Sequence, residues 1–127
     1  TEEASKGATA RMRSRASAYA LYVLAKGGRG DLARLRWWHD VQMKNEPSPV
    51  AKAQVAAGLA LMGDRARARS AMRQAVRSLR YRDPGDWYGS PLRDTAAVVA
   101  LAHEAGETGI ANGLARRLEL SVREPAS

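Results

Sequence analysis

The chain of 127 residues contains no cysteine. Disulfide bonds, thiolate-bound metal ions and a cysteine nucleophile are therefore excluded, although this absence says nothing about the cellular compartment. The chain also lacks any apolar run close to the roughly 18 residues that a membrane-spanning helix needs, so we expect no insertion into a membrane. Hydrophobic residues make up 45% of the chain, which is enough to build one core in a single small domain.

Residues that commonly carry enzyme chemistry are also scarce. The two histidines are His39 and His103, and the one helical spacing to an acidic residue, from His103 to Glu107, is interrupted by Gly106. No Ser-His-Asp arrangement is visible, and the glycines at positions 27–30 follow a helix rather than the strand that precedes a phosphate-binding loop. We therefore predict that the chain is not an enzyme and that it holds no metal ion or other cofactor.

Two adjacent tryptophans, Trp37 and Trp38, form the most conspicuous aromatic feature. Neighbouring side chains on a helix point about 100° apart, so these two rings cannot form one aromatic clamp. We expect one of them to lie in the core and the other to lie over a groove at the surface.

Basic residues dominate the charge. Lys and Arg number 21 against 13 Asp and Glu, which gives a net charge of +8. Five arginines fall on one side of a predicted helix and are called here the basic stripe: Arg65, Arg69, Arg73, Arg77 and Arg80. The stripe is a candidate interaction face for an acidic partner, and it also suits a helix that merely faces solvent. No aromatic residue interleaves with it before Tyr81, so we predict no specific binding of nucleic acid.

Strong helix formers fill the whole chain, and no sustained alternation of β-branched residues indicates a strand. Glycine, proline and capping residues divide the chain into six predicted helices, at about 11–26, 31–45, 48–62, 64–81, 90–105 and 108–121. We predict a flexible segment at 1–10, a helical domain at 11–121 and a tail at 122–127. Because the chain opens on Thr1 rather than on Met, we expect it to be a segment of a longer protein.

The predicted helices differ in how much of their surface is apolar. The first carries Ala18 and Leu21 on one face but Met12, Tyr19 and Val23 on another, whereas each even-numbered helix has one apolar stripe. A helix that is apolar nearly all round must be covered nearly all round. We predict an all-α fold of three antiparallel hairpins that forms part of an α/α toroid or a helical-repeat array. In such an array the odd-numbered helices would lie inside, and a chain of three hairpins would leave their apolar faces partly uncovered, which predicts self-association of the chain.

The run from Asp86 to Ala96, which reads Asp-Trp-Tyr-Gly-Ser-Pro-Leu-Arg-Asp-Thr-Ala, is more specific than the rest. It resembles a segment of bacterial alpha-2-macroglobulins in which Tyr-Gly-Ser-Pro-Leu-Arg-Asp opens an inner helix of the thioester-containing domain. That domain is an α/α toroid, and the resemblance extends over about 11–121. The residues of the motif are expected to have a structural role: Trp87, Tyr88, Gly89, Ser90, Pro91, Arg93 and Asp94. Ser90 would cap the helix that Pro91 starts, while Arg93 and Asp94 would tie the loop to a neighbour.

The resemblance implies a structural segment of a protease-trapping inhibitor that is periplasmic or located at the cell surface. Its partners would be other domains of the parent chain and, through the whole protein, proteases. The reactive Cys-x-Glu-Gln motif of the family is absent, because there is no cysteine and no Gln follows a Glu. No reactive residue can therefore be assigned to this chain.

Two other functions remain open at this point. A tetratricopeptide-like interaction module would bind a peptide or an acidic partner through the basic stripe. A fragment of a toroidal glycosidase would use carboxylates among Asp83, Asp86 and Asp94, although their positions in a turn and in a first helical turn favour capping roles.

Overall fold

The computed structural model describes residues 1–80 and 90–123, and every regular element in these two ranges is helical. The prediction of an all-α fold is confirmed for this part of the chain. Its six α-helices are α1 (Glu2–Lys26), α2 (Leu32–Trp37), α3 (Pro49–Leu61), α4 (Arg65–Arg80), α5 (Ser90–Glu104) and α6 (Thr108–Arg123).

Helix α1 begins well before the predicted start near Arg11. The Thr1 hydroxyl accepts a hydrogen bond from the Ala4 amide at 3.3 Å, and Glu2 and Glu3 place negative charge in the first turn, where the helix dipole favours it. The sequence prediction missed this stretch because residues 2–10 bury no apolar stripe, and such a stripe was the signal used to recognise helices. At the other end of the chain, α6 continues to Arg123 and so includes part of the predicted tail.

The second predicted helix is regular only as far as Trp37. It continues as a π-helical turn at Trp38–Gln42 and a 3₁₀ turn at Met43–Asn45. The Met43 amide donates to the Trp38 carbonyl, five residues back, so these two residues lie above one another. In an α-helix residues five apart would be about 140° apart, whereas here Trp38 and Met43 are both buried, at 1% exposure each.

Helix α3 is the centre of the fold. It packs against α1, α4 and α5 and also contacts α2, and eight of its residues are buried. Five of these are small, namely Ala51, Ala53, Ala56, Ala57 and Gly58, so that neighbouring helices can approach closely. Helix α3 is thus covered on most of its sides, as a helix that is apolar nearly all round requires. Helix α1 buries one narrow strip and leaves its other apolar face exposed.

Helices α1, α3 and α5 each end in a turn of the same type. Gly28, Gly63 and Gly106 have φ of 77°, 87° and 79°, a conformation that glycine adopts without strain. The residue after each glycine donates its amide to a carbonyl five residues back, at 2.8–2.9 Å, in a Schellman arrangement. The predicted glycine stop signals therefore lie at the ends of all three helices.

Helices α1 and α5 are also linked directly. The Tyr22 hydroxyl donates to a carboxylate oxygen of Glu104 at 2.6 Å, and the ammonium group of Lys26 lies 3.3 Å from the other oxygen.

In the described ranges, none of the helices combines the length and the apolar character needed to cross a membrane.

Candidate functional site

The basic stripe lies along α4, where Arg65, Arg69, Arg73 and Arg77 are all exposed. The side chain of Arg80 lies outside the described part of the structure. Helix α4 forms here because Asp64 precedes it and accepts the Arg67 amide at 3.2 Å, while alanines and Met72 on the opposite side pack into the core. The predicted face therefore exists as a solvent-facing row of guanidinium groups.

The arginines of the basic stripe differ in whether their side chains have partners within the fold. The Arg65 guanidinium donates to the Ala105 carbonyl, and the Arg69 guanidinium lies 3.4 Å from a carboxylate oxygen of Glu107. Both side chains are thereby occupied in tying α4 to the turn before α6. Arg73 and Arg77 make no ion pair with any residue in the described ranges, so these two carry the charge available to a partner.

Two of the ion pairs repeat one geometric relation. Asp31 and Asp64 each precede an even-numbered helix, and Arg36 and Arg69 lie five positions after them. Arg36 Nε lies 2.8 Å from Asp64, and Arg69 lies 3.4 Å from Glu107, the residue that precedes α6. Each arginine thus reaches the acidic residue that begins the next even-numbered helix. The sequence analysis did not identify this relation, although an acidic residue just before a helix, followed five positions later by Arg, can be recognised in a sequence.

A polar cluster joins the second helical segment to α4. The Arg67 guanidinium donates to Asp40 at 2.9 Å and to Asp64 at 3.0 Å, while the His39 ring nitrogens lie 2.7 Å from Asp40 and 2.9 Å from the Ser70 hydroxyl. Hydrogen bonds from Arg67, and secondarily from His39, hold the pKa of Asp40 well below its usual range. The pKa of Asp64 is also lowered, chiefly by the hydrogen bond from Arg36.

We expect this cluster to make the protein sensitive to acid. Both carboxyl pKa values are lower in the folded than in the unfolded chain, so their contribution to stability is present above about pH 4 and is lost as the pH falls further. In Arg67→Gln this acid-dependent loss should be shallower, because Asp40 loses its main donor. Urea unfolding midpoints between pH 7 and pH 2 measure the effect.

Arg34→Gln is the matched control, since Arg34 is exposed and makes no ion pair with a residue in the described ranges. Its pH dependence should equal that of the unmodified protein. An unchanged slope in Arg67→Gln would show that the cluster does not set the acid response.

The outer face of α1, defined as Met12, Ala16, Tyr19 and Val23, is a second candidate surface. Each of these residues stands two positions before a residue that packs into the core: Ser14, Ala18, Leu21 and Ala25. Two positions on a helix correspond to about 200°, so the outer face points directly away from the core. Met12, Tyr19 and Val23 are 71%, 58% and 44% exposed. Such a contiguous apolar surface is typical of an interaction site.

The motif behind the family resemblance is only partly described. Trp87, Tyr88 and Gly89 lie outside the described residues, as do Asp83 and Asp86. Helix α5 begins at Ser90, the start of the predicted range 90–105, so Ser90 is the first residue of the helix rather than a cap before Pro91. Arg93 is exposed in the first turn of α5, whereas Asp94 is the fifth residue of the helix and lies just beyond that turn, which corrects its expected place in the first turn.

The two tryptophans divide as predicted between core and surface. Trp38 is 1% exposed and its indole nitrogen donates to the Ser14 carbonyl at 3.4 Å, while Trp37 is 54% exposed.

Within the two described ranges, no group of three or more His, Asp or Glu residues is placed to hold a metal ion. Comparison of the chain with known protein families, with curated proteins and with solved structures finds no match.

Proposed function

We propose that this chain is a structural helical module that packs through the outer face of α1 against a neighbouring part of a larger protein. It has no catalytic chemistry of its own. The observation that carries the proposal is the exposure of Met12, Tyr19 and Val23 on the side of α1 opposite the core. Leaving this apolar surface in water is unfavourable, and covering it with another helix removes the cost.

The larger protein that we propose is a bacterial alpha-2-macroglobulin-like inhibitor that traps proteases in the periplasm or at the cell surface. The support is the resemblance of the segment from Asp86 to Ala96, together with an all-α fold of the kind that the resemblance implies. In such an inhibitor the chain would be part of a helical toroid whose packing against its neighbours changes when a protease is trapped.

The test uses the full-length inhibitor and a broad-specificity protease. A trapped protease should lose activity on a large protein substrate and keep its activity on a small chromogenic peptide. Tyr19→Glu with Val23→Glu should restore activity on the large substrate by about tenfold or more, because charges at the centre of a packed apolar contact remove most of its binding energy.

The matched control is Leu120→Glu with Val122→Glu, which places the same charges on two other exposed apolar residues, 49% and 65% exposed, near the end of α6. Trapping should survive in this variant. If the unmodified protein leaves both protease activities intact and forms no complex, the inhibitor function is refuted for that protease. If the α1 variant traps normally, the outer face of α1 is not the packing surface.

A second function, binding of an acidic partner, is favoured by one observation. Arg73 and Arg77 are exposed and unpaired among the described residues, whereas Arg65 and Arg69 of the same stripe are engaged in a hydrogen bond and an ion pair within the fold.

A further inference from the structure

A groove runs between α4 and α6, both of which pack on α5. One cavity in it, of about 260 Å³, is lined by Arg73, Val76 and Arg77 of α4 and by Ile110 of α6. A second cavity, of about 170 Å³, lies nearer the C-terminal ends of both helices, and its lining includes Leu79 of α4, Leu92 of α5, and Leu114, Arg117 and Leu118 of α6. The name α4–α6 groove is used for these two cavities together.

The floor of the groove is apolar. On α6 the residues Ile110, Leu114 and Leu118 follow each other at intervals of four and so lie in one row along the helix. Val76 and Leu79 of α4 face the same groove. Leu114 is buried, but the other four are only half-buried, so they offer apolar surface that a partner can still cover.

The rims of the groove carry positive charge. Arg73 and Arg77 stand on the α4 side and Arg117 stands on the α6 side. None of the three forms an ion pair with a carboxylate in the described ranges. Two acidic residues at α6, Glu107 and Glu119, form ion pairs with Arg69 and Arg123 instead. Guanidinium groups beside an apolar floor favour a partner that presents carboxylates beside apolar side chains.

We propose that the α4–α6 groove binds an acidic amphipathic helix, a proposal that rests on the second of the two functions above. The two cavities follow one another along the helices, so they can take successive apolar side chains from one face of a partner helix. Its flanking Glu and Asp residues meet Arg73 and Arg77 on one side and Arg117 on the other. This charge complementarity, together with a net charge of +8, selects an acidic helix over a basic one.

The experiment measures fluorescence anisotropy with a labelled peptide of about 18 residues made of Glu, Ala and Leu, with the leucines on one face of the helix. The unmodified chain should bind it, and binding should weaken as salt is raised. A peptide of the same composition, scrambled so that the leucines are spread around the helix, should bind at least about tenfold more weakly. Equal binding of the two peptides would overturn the proposal.

Arg73→Glu with Arg77→Glu should weaken binding by about tenfold or more, because both substitutions place negative charge against the carboxylates of the peptide. The matched control is Arg11→Glu with Arg13→Glu, which makes the same change in net charge on exposed residues of α1. It should weaken binding by less than about threefold. All four arginines are exposed, so both variants should fold, and circular dichroism checks this.

Equal weakening by the two double variants would overturn the groove as the site and leave only a general charge effect. Binding to vesicles that contain phosphatidylserine, without binding to the peptide, would overturn the proposal in favour of an anionic membrane surface. Neither result bears on the packing function of α1, which the protease assay tests independently.

Discussion

Trp38→Ala should lower the free energy of unfolding by about 3–5 kcal/mol, the usual cost of removing a large buried aromatic side chain. Trp38 is 1% exposed, and its indole nitrogen donates to the Ser14 carbonyl in α1. The substitution therefore leaves a cavity between the second helical segment and α1. Because native proteins are stable by only about 5–15 kcal/mol, this is a large part of the total. Urea unfolding followed by circular dichroism measures the loss.

Its control is the adjacent residue. Trp37→Ala removes the same side chain from a position that is 54% exposed, so the stability should change by less than about 0.5 kcal/mol. The two variants differ because neighbouring side chains on a helix point about 100° apart, so one ring is buried while the other lies in solvent. Equal losses in the two variants would show that the tryptophans share the burial.

Gly58→Ala should destabilise the protein by about 1–3 kcal/mol even though alanine favours helix formation. A Cβ atom at this position would lie 2.9 Å from Cδ2 of Leu35, closer than carbon atoms approach each other. Leu35 is fully buried and cannot move aside without disturbing the core. Thermal and urea unfolding report the change.

The opposite sign is expected for Gly113→Ala. Gly113 lies inside α6 with no atom within 4 Å of a Cβ placed there, so alanine should stabilise the protein by about 0.5–1 kcal/mol.

Combining Gly58→Ala with Leu35→Ala should cost less than the sum of the single changes, because the second substitution removes the atoms that clash. An additive result would show that Gly58 is sensitive for another reason.

Packing through α1 and binding through the α4–α6 groove use separate surfaces of the chain. The outer face of α1 is apolar and points directly away from α3, whereas the groove combines an apolar floor with arginines of α4 and α6 that make no ion pair with any residue in the described ranges. The two can therefore be disabled separately, by Glu at Tyr19 and Val23 or by Glu at Arg73 and Arg77.

Much of the candidate site could be predicted from the sequence, but not which of its arginines have partners within the fold. The spacing of the arginines correctly placed Arg65, Arg69, Arg73 and Arg77 on one exposed side of a helix. It could not show that Arg65 and Arg69 are bound to the turn before α6. Their partners, Ala105 and Glu107, are about 40 residues away along the chain, and only the packing of α4 beside that turn brings them into range.

The sequence by itself determined the all-α class and the ends of α1, α3 and α5. These depend on interactions within a few residues, such as a glycine with positive φ at positions 28, 63 and 106, or Ser48 accepting a hydrogen bond from the Ala51 amide at the start of α3. Such local chemistry acts in the same way whatever the rest of the chain does.

Only the tertiary structure decided which apolar surfaces are covered. Trp37 and Trp38 are identical in type, and the packing of the second helical segment on α1 and α3 decides that Trp38 is buried and Trp37 is exposed. Likewise the two apolar faces of α1 look equivalent in the sequence, yet α3 covers the face with Ala18 and Leu21 and leaves Tyr19 and Val23 in solvent. Burial follows from contacts between distant parts of the chain, which local periodicity does not encode.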